Sequence, residues 1–312
     1  MSNNSNKLSF KEKIKKWYAG SKEKFKNWFS EFKVDFKEKA QQKLRDIKKN
    51  TNITRELVKK NIKIQYRNSA IGAIWTVLNP LLNMLVMYFV FGTVLKYNET
   101  DKTYALYLLC GNIIFNMMRA ATTQSLTSLV ANRGLLTKNK ISYYVFPVSN
   151  NLSAVVNFFF SCIALFGVML VIWFKGNPVF SWNFLLAFLM LPALFLFNYG
   201  LSMILASLYV FFRDIQHFYG VFLTLWTYLT PIFYKTDKFT GASGKILMSV
   251  INLNPMYHFV EYFRDVIYRC SVTGADLPSV GKLAALYMIG VVFFGVGTLI
   301  YNLTKRKFIF YI

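Results

Sequence analysis

Acidic residues are scarce in this chain, and so are the side chains that most often carry catalysis. Only 14 Asp and Glu stand against 37 Lys and Arg, and the 312 residues include two histidines and three cysteines. Cys110, Cys162 and Cys270 are widely separated and two lie in apolar segments, so they read as packing thiols rather than as a disulfide framework or a CxxC metal site. His217 and His258 belong to no HExxH pattern, and no GxSxG elbow is present. The string GASGK at 241–245 lacks both the spacing and the following Ser or Thr of a GxxxxGK[ST] phosphate loop, so nucleotide hydrolysis by this chain alone is not expected. Glu261 and Asp265 form an i, i+4 acid pair, but Arg264 lies between them and a helix salt bridge accounts for them.

What the chain does have is apolar length and positive charge. Hydrophobic residues make up 54% and aromatic residues 18%, with a formal charge of +23, a combination that describes a membrane protein with a basic end. Residues 1–73 hold 20 of the 37 basic and 7 of the 14 acidic residues, so this quarter contributes +13. Anionic lipid is the nearer partner for that charge than nucleic acid, because the chain continues directly into apolar segments. The first long apolar run starts near Ile74, too late for a cleavable signal, which leaves the N-terminus expected in the cytoplasm.

About 20 apolar residues cross about 30 Å of hydrocarbon. Six segments fit that template, near 74–96, 104–131, 147–174, 182–211, 217–234 and 283–303. The fold class is therefore all-α and integral to the membrane, six transmembrane helices preceded by a basic amphipathic interfacial helix. Arg133, Lys138, Lys140 and Arg213 fall in the inner connections and Lys305, Arg306 and Lys307 at the C-terminal end, which puts both termini in the cytosol. Before the spans, Phe10, Ile14, Trp17, Phe25, Trp28, Phe32 and Phe36 recur among lysines at mostly helical spacing. That predicts an amphipathic extension over 1–50, lying on the inner leaflet or binding a partner. A second basic helix follows within 51–73.

Helical neighbours lie three or four residues apart, so polar residues inside a span can be tested for a common face. Trp75, Asn79 and Asn83 pass in the first span, and Asn112, Asn116, Arg119 and Thr123 in the second. Ser153, Asn157 and Ser161 do so in the third, and His217, Gly220, Thr224, Thr227 and Pro231 in the fifth, with Tyr228 one position after Thr227. Amides and hydroxyls of this kind either bond across packed helices or line a wet path. Arg119 stands apart, because a charge at bilayer depth costs about 2.5–3.5 kcal/mol on insertion scales and no intramembrane carboxylate is available to it. Helix carbonyls, water and an anionic substrate are its open partners. Pro80, early in the first span, is compatible with a first-turn position or a bend.

Three strings then become informative together. YRNSAIGAIWTVLNPLL (66–82) resembles the signature at the first span of ABC-transporter permeases that export polysaccharides and polyol phosphates, of teichoic acid and O-antigen type, in which Tyr-Arg-x-Ser-x-x-Gly-x-x-Trp precedes a Pro-containing span. LLTKNKISYYVFPVS (135–149) is similar to the cytosolic segment after the second span of that family, and NPMYHFVEYFRDVIY (254–268) to its short outer helices. The resemblance implies a half-transporter of the bacterial cytoplasmic membrane that homodimerises and pairs with two copies of a separate ATPase subunit. ATP and magnesium would be bound there, with no cofactor in this chain. It implies a lipid-linked glycan or teichoic-type polymer as cargo. Mapped onto this sequence, 51–73 becomes an interfacial gate helix and 74–306 the transmembrane domain. Within that domain 133–146 is the coupling segment, with Arg133, Lys138, Lys140, Tyr143 and Tyr144 facing the ATPase, and 235–282 forms outer re-entrant helices; 307–312 is a cytosolic tail. Trp75, Asn79, Asn83, Asn112, Asn116, Arg119, Thr224 and Tyr228 are the candidate channel wall. Lys63 and Arg67 are placed to attract a pyrophosphate headgroup or to anchor the helix to anionic lipid. The extension and Arg119 depart from the family pattern. Export of a drug, haem or a simple lipid by the same fold, or an integral-membrane glycan-modifying enzyme, are the alternatives.

Overall fold

The computed structural model describes residues 47–65, 72, 74–94, 103–138, 141–177, 180, 182–236, 241–273 and 276–311. The chain divides into two units, Met1–Ile53 and Thr54–Ile312. Of the first, only 47–53 is described, and it is helical; the expected amphipathic extension otherwise lies outside the described residues. Among the described residues the regular secondary structure is all helical, with no strand. The elements are α1 (47–65), α2 (Ile74–Met87), α3 (Tyr104–Ala131), α4 (Arg133–Lys138), α5 (Val145–Phe174), α6 (Leu191–Phe211), α7 (Ile215–Leu229), α8 (Gly241–Asn252), α9 (Pro255–Arg264), α10 (Val280–Thr304) and α11 (Phe308–Tyr311).

Among the described residues four helices are long and apolar enough to cross a membrane: Ile74–Val94, Val145–Phe174, Phe184–Phe211 and Val280–Thr304. The first and third exceed their α-helices because α2 runs on as a wider π-type coil over Tyr88–Val94, and α6 is preceded by a 3₁₀ stretch over Trp182–Met190. The other two expected spans differ for separate reasons. α3 has the length, 28 residues, but 18 of them are buried inside the bundle, so its surroundings are protein rather than lipid and it carries Asn, Thr, Ser, Gln and Arg. α7 has only 15 residues, about 22 Å, and ends at Leu229, after which Thr230–Tyr234 is non-helical. Pro80 is the seventh residue of α2, so it sits in the helix interior rather than the first turn.

In lipid the helices gain little from leaving one apolar medium for another, so association rests on close packing and hydrogen bonds. α6 and α10 use glycine for this. A Cβ on Gly297 would come within 2.2 Å of the Gly200 carbonyl oxygen, and one on Gly290 within 2.5 Å of that of Ala193. The two backbones touch at places seven residues apart on each helix.

α9 is inserted among the longer helices. Asn254 caps it, accepting from the Met256 N–H at 3.0 Å, and Pro255 occupies its first turn, where the missing N–H costs nothing. Phe259 packs against Phe197 of α6 (5.6 Å between centroids) and Phe263 against Phe158 of α5 (6.2 Å). Asn254 also receives the Trp226 indole N–H (2.7 Å) and donates to Thr230 Oγ1 (2.8 Å), tying the end of α7 to the start of α9.

Among the described residues the largest fully buried side chain is Arg264. Its Nη1 donates to the Pro231 carbonyl (2.8 Å) and Tyr107 Oη (3.0 Å), and its Nη2 to the Ile232 carbonyl (2.9 Å), while the guanidinium lies 3.6 Å over the Tyr107 ring. A Cβ on Gly111 would meet Nη2 at 2.5 Å, so the glycine makes room for it. Arg264 touches Glu261 only at 3.4 Å; Arg269 takes over the acid pair instead, reaching Glu261 at 2.8 Å and bonding Asp265, whose other oxygen accepts from Lys282 at 2.8 Å. Burial works against the charge on Arg269, but Glu261 and Asp265 outweigh it and raise its pKa above the ordinary range. The salt bridge expected of Arg264 thus belongs chiefly to Arg269, five residues on.

Candidate functional site

The polar faces of α2, α3, α5 and α7 turn toward one another. They enclose two adjoining cavities that share Asn83, Asn116, Arg119 and Thr224. The larger, about 760 Å³, runs from Gln65, Trp75 and Gln124 past Asn79 to the shared residues, with Asn157, Phe158 and Ser161 of α5 along its side. The smaller, about 270 Å³, continues past Asn112 and Thr227 to Tyr228 and Phe233. All eight residues named from the sequence as a channel wall, Trp75, Asn79, Asn83, Asn112, Asn116, Arg119, Thr224 and Tyr228, border one or both cavities. Asn79, Asn83, Arg119, Thr224 and Tyr228 are exposed in the single chain, so what it carries is an open groove rather than a closed tube.

The i, i+4 spacing that puts these residues on one face also pairs them. Asn116 Nδ2 donates to Asn112 Oδ1 (2.7 Å), and Asn83 Nδ2 to Asn79 Oδ1 (3.4 Å), so each pair satisfies part of itself and keeps amide groups for the cavity. Tyr219, one turn behind the wall, donates to Thr122 Oγ1 (2.6 Å) and fixes α7 on α3. Arg119 Nη2 donates to Thr227 Oγ1 (2.7 Å), and its guanidinium lies 5.4 Å from the Phe115 ring centroid. Among the described residues it is the one charged side chain on either cavity wall.

At the α1 end, Asn61 donates to Asn150 Oδ1 (2.9 Å) and Ser153 Oγ (3.3 Å), and Gln65 Oε1 accepts from Asn157 Nδ2 (3.0 Å). These bonds lay the later part of α1 along the first turns of α5. Ser153, expected on the polar face, is used for this docking, whereas Asn157 and Ser161 reach the cavity. Lys63 is exposed; Arg67 lies outside the described residues, as do Lys140 and the side chain of Lys138.

The stretch expected to couple to an ATPase contains the short helix α4 and then the turn into α5. Arg133 and Tyr144 are exposed, and Tyr143 sets its ring edge-on to Phe308 of α11 (5.8 Å). Tyr143 and Tyr144 also border a separate cavity of about 360 Å³ with Tyr199, Tyr301 and Lys305. These residues therefore form a second surface, away from the groove.

Sequence spacing missed Gln65 and Gln124 on the wall, since they sit at the ends of their stripes, and it missed the part played by Asn254 and Arg264. For Asn254 the Asn-Pro pair was a usable capping signal; for Arg264 nothing local distinguishes it from Arg269. Among the described residues no group of His, Cys, Asp and Glu could hold a metal ion.

Comparison with known proteins gives this geometry a context. The sequence profile of the ABC-2 type transporter family matches residues 53–268. The O-antigen export system permease protein RfbA of Klebsiella pneumoniae is 27% identical over 252 residues, 81% of this chain and 92% of that protein. RfbA of Myxococcus xanthus is 28% identical over the same shares. The polysialic acid transport protein KpsM of Escherichia coli is 21% identical over 212 residues, 68% of this chain and 79% of its own.

Proposed function

Because this chain belongs to the ABC-2 type transporter family, we propose that it is the membrane subunit of an ATP-driven exporter that moves a lipid-linked polysaccharide or teichoic-type polymer across the bacterial cytoplasmic membrane. The observation that carries the reading is the groove: four helices turn amide, hydroxyl and aromatic faces onto one path. A sugar polymer needs such a path, with hydrogen-bond partners along it and flat rings such as Trp75, Phe115 and Tyr228 for its C–H faces. The relatives named for O-antigen export support the same cargo class.

Six spans follow if α3 and the short α7 are counted with the four apolar helices. α3 crosses inside the bundle, and α7 is completed by the non-helical Thr230–Tyr234. Two copies, groove to groove, make a closed channel, and the exposure of Asn79, Asn83, Arg119 and Thr224 in one copy is the reason a second is needed. Each copy takes one ATPase subunit on the surface around α4, Tyr143 and Tyr144, and ATP and magnesium bind there. Residues 51–73 are the gate at the inner interface, with Lys63 and Arg67 near the lipid carrier's headgroup, and α8 and α9 close the outer side.

The test is export from cells expressing this chain with a cognate ATPase subunit. Polymer should reach the outer face, the two proteins should copurify, and an Arg133→Glu, Tyr143→Ala double variant should lose both ATPase capture and export while its bundle stays folded. Full export by a chain that never contacts an ATPase would overturn the proposal.

A further inference from the structure

The geometry points to Arg119 as a mid-path binding site for an anionic group on the cargo, a phosphate, diphosphate or carboxylate. The inference rests on the exporter reading and adds the cargo's charge to it. Three observations carry it. First, Arg119 stands where the two cavities meet and borders both. Second, among the described residues no carboxylate lines either cavity, so the charge is not neutralised by the described wall around it. Third, its sole hydrogen-bond partner among the described residues is Thr227, which takes one of five guanidinium N–H groups and leaves the others facing no protein acceptor.

A neutral polymer needs nothing that Asn112, Asn116 and Thr224 do not already supply. An unneutralised guanidinium in a path inside a bilayer is a standing cost, and where no carbonyl is placed to offset it, an oxyanion is the ligand that best matches its planar fork of donors. The contrast with Arg264 sharpens this. That arginine is wholly enclosed and bonds two backbone carbonyls and a tyrosine, as a structural arginine does. Arg119 is tethered by one hydroxyl and lies beside the Phe115 face, an arrangement that fixes the position of the group without saturating it.

The oxyanion could come from the diphosphate of a polyprenyl carrier or from charged repeats of the polymer, and the arms of the experiment separate these. The protein, purified with its ATPase subunit, is placed in phosphatidylcholine nanodiscs. In one arm the discs contain polyprenyl diphosphate or, as control, the uncharged polyprenol. In the other an oligosialic acid is compared with a neutral dextran oligomer of matched length. Binding is followed by tryptophan fluorescence, Trp75 being on the wall. At least one anionic probe should bind more tightly than its neutral counterpart, and weaken with salt. R119Q should weaken that probe by about tenfold, and R119K by about threefold, with neutral probes unaffected. Whichever anionic probe responds names the source.

Unchanged anionic binding in R119Q, or equal binding of charged and neutral probes by the unaltered protein, overturns the inference. If R119Q does not assemble by gel filtration, R119K and the salt dependence of the unaltered protein decide it in the same way. Export is scored in parallel. Export that persists in R119Q alongside unchanged anion binding sinks the Arg119 site and leaves the exporter reading standing, whereas absence of any polymer export with intact anion binding sinks the exporter reading alone.

Discussion

Replacing Arg264 with leucine strips the Pro231 and Ile232 carbonyls of their donors inside a packed region and leaves Tyr107 facing a void. The expected loss is about 3–5 kcal/mol, read as a lower midpoint of thermal unfolding in detergent. R264K should recover little of it, because an ammonium cannot span two carbonyls and a ring as a planar guanidinium does. A midpoint unchanged in R264L would show the turn after α7 to be held by something else. None of this is readable along the chain. Residues 107 and 111 and residues 231 and 232 come from two segments distant from Arg264, and Arg264 and Arg269 look alike in the string EYFRDVIYR. The groove residues were legible for the opposite reason: Asn79 and Asn83, or Asn112 and Asn116, lie four apart on one helix, and that spacing alone fixes a shared face. What spacing could not give is which faces of different helices meet.

Helices were legible wherever length and apolarity coincide, as in α5 and α10. They were less so where burial replaces lipid, as in α3, or where a turn must end early to receive Arg264, as in α7. The seam between α6 and α10 offers a paired test at this scale. Gly297→Ala brings a methyl to 2.2 Å from a backbone oxygen, while a methyl on Gly295, two residues earlier on the same helix, meets nothing within 4 Å. G297A should therefore reduce the yield of monodisperse protein severely, since two backbones must move apart. G295A should be neutral or stabilising by up to about 1 kcal/mol. Equal behaviour of the two variants would mean that the seam tolerates separation, and the close approach of the two helices would then have no energetic weight.

For the whole molecule, the two-unit division places the boundary at Ile53, and a chain lacking residues 1–50 should still give a folded bundle with an unchanged unfolding midpoint. Aggregation of that truncated chain would assign the extension to the domain. The homodimer proposal is open to cross-linking. Val221 on α7 is 74% exposed and Cys110 and Cys162 are buried, so a Val221→Cys, Cys270→Ser chain carries one accessible thiol among the described residues. Oxidation in membranes should then yield a covalent pair, and a band that stays monomeric would argue against facing grooves. The glycine seam has a mechanical consequence at this scale. Backbone meets backbone at Gly297 and Gly290, and the ring pairs Phe197–Phe293 and Tyr199–Phe294 fill the rest of the seam, so α6 and α10 lack a ratchet of alternative positions and the pair behaves as a strut. On the exporter proposal, work delivered by an ATPase should then be expressed in α2 and α7, which expose Leu85 and Leu225 and border the path. Spin labels at Leu208 and Leu303 should keep one separation with and without nucleotide, while labels at Leu85 and Leu225 should change theirs. A shift in the first pair would relocate the moving part. A path built this way widens by peeling its lining off a fixed frame.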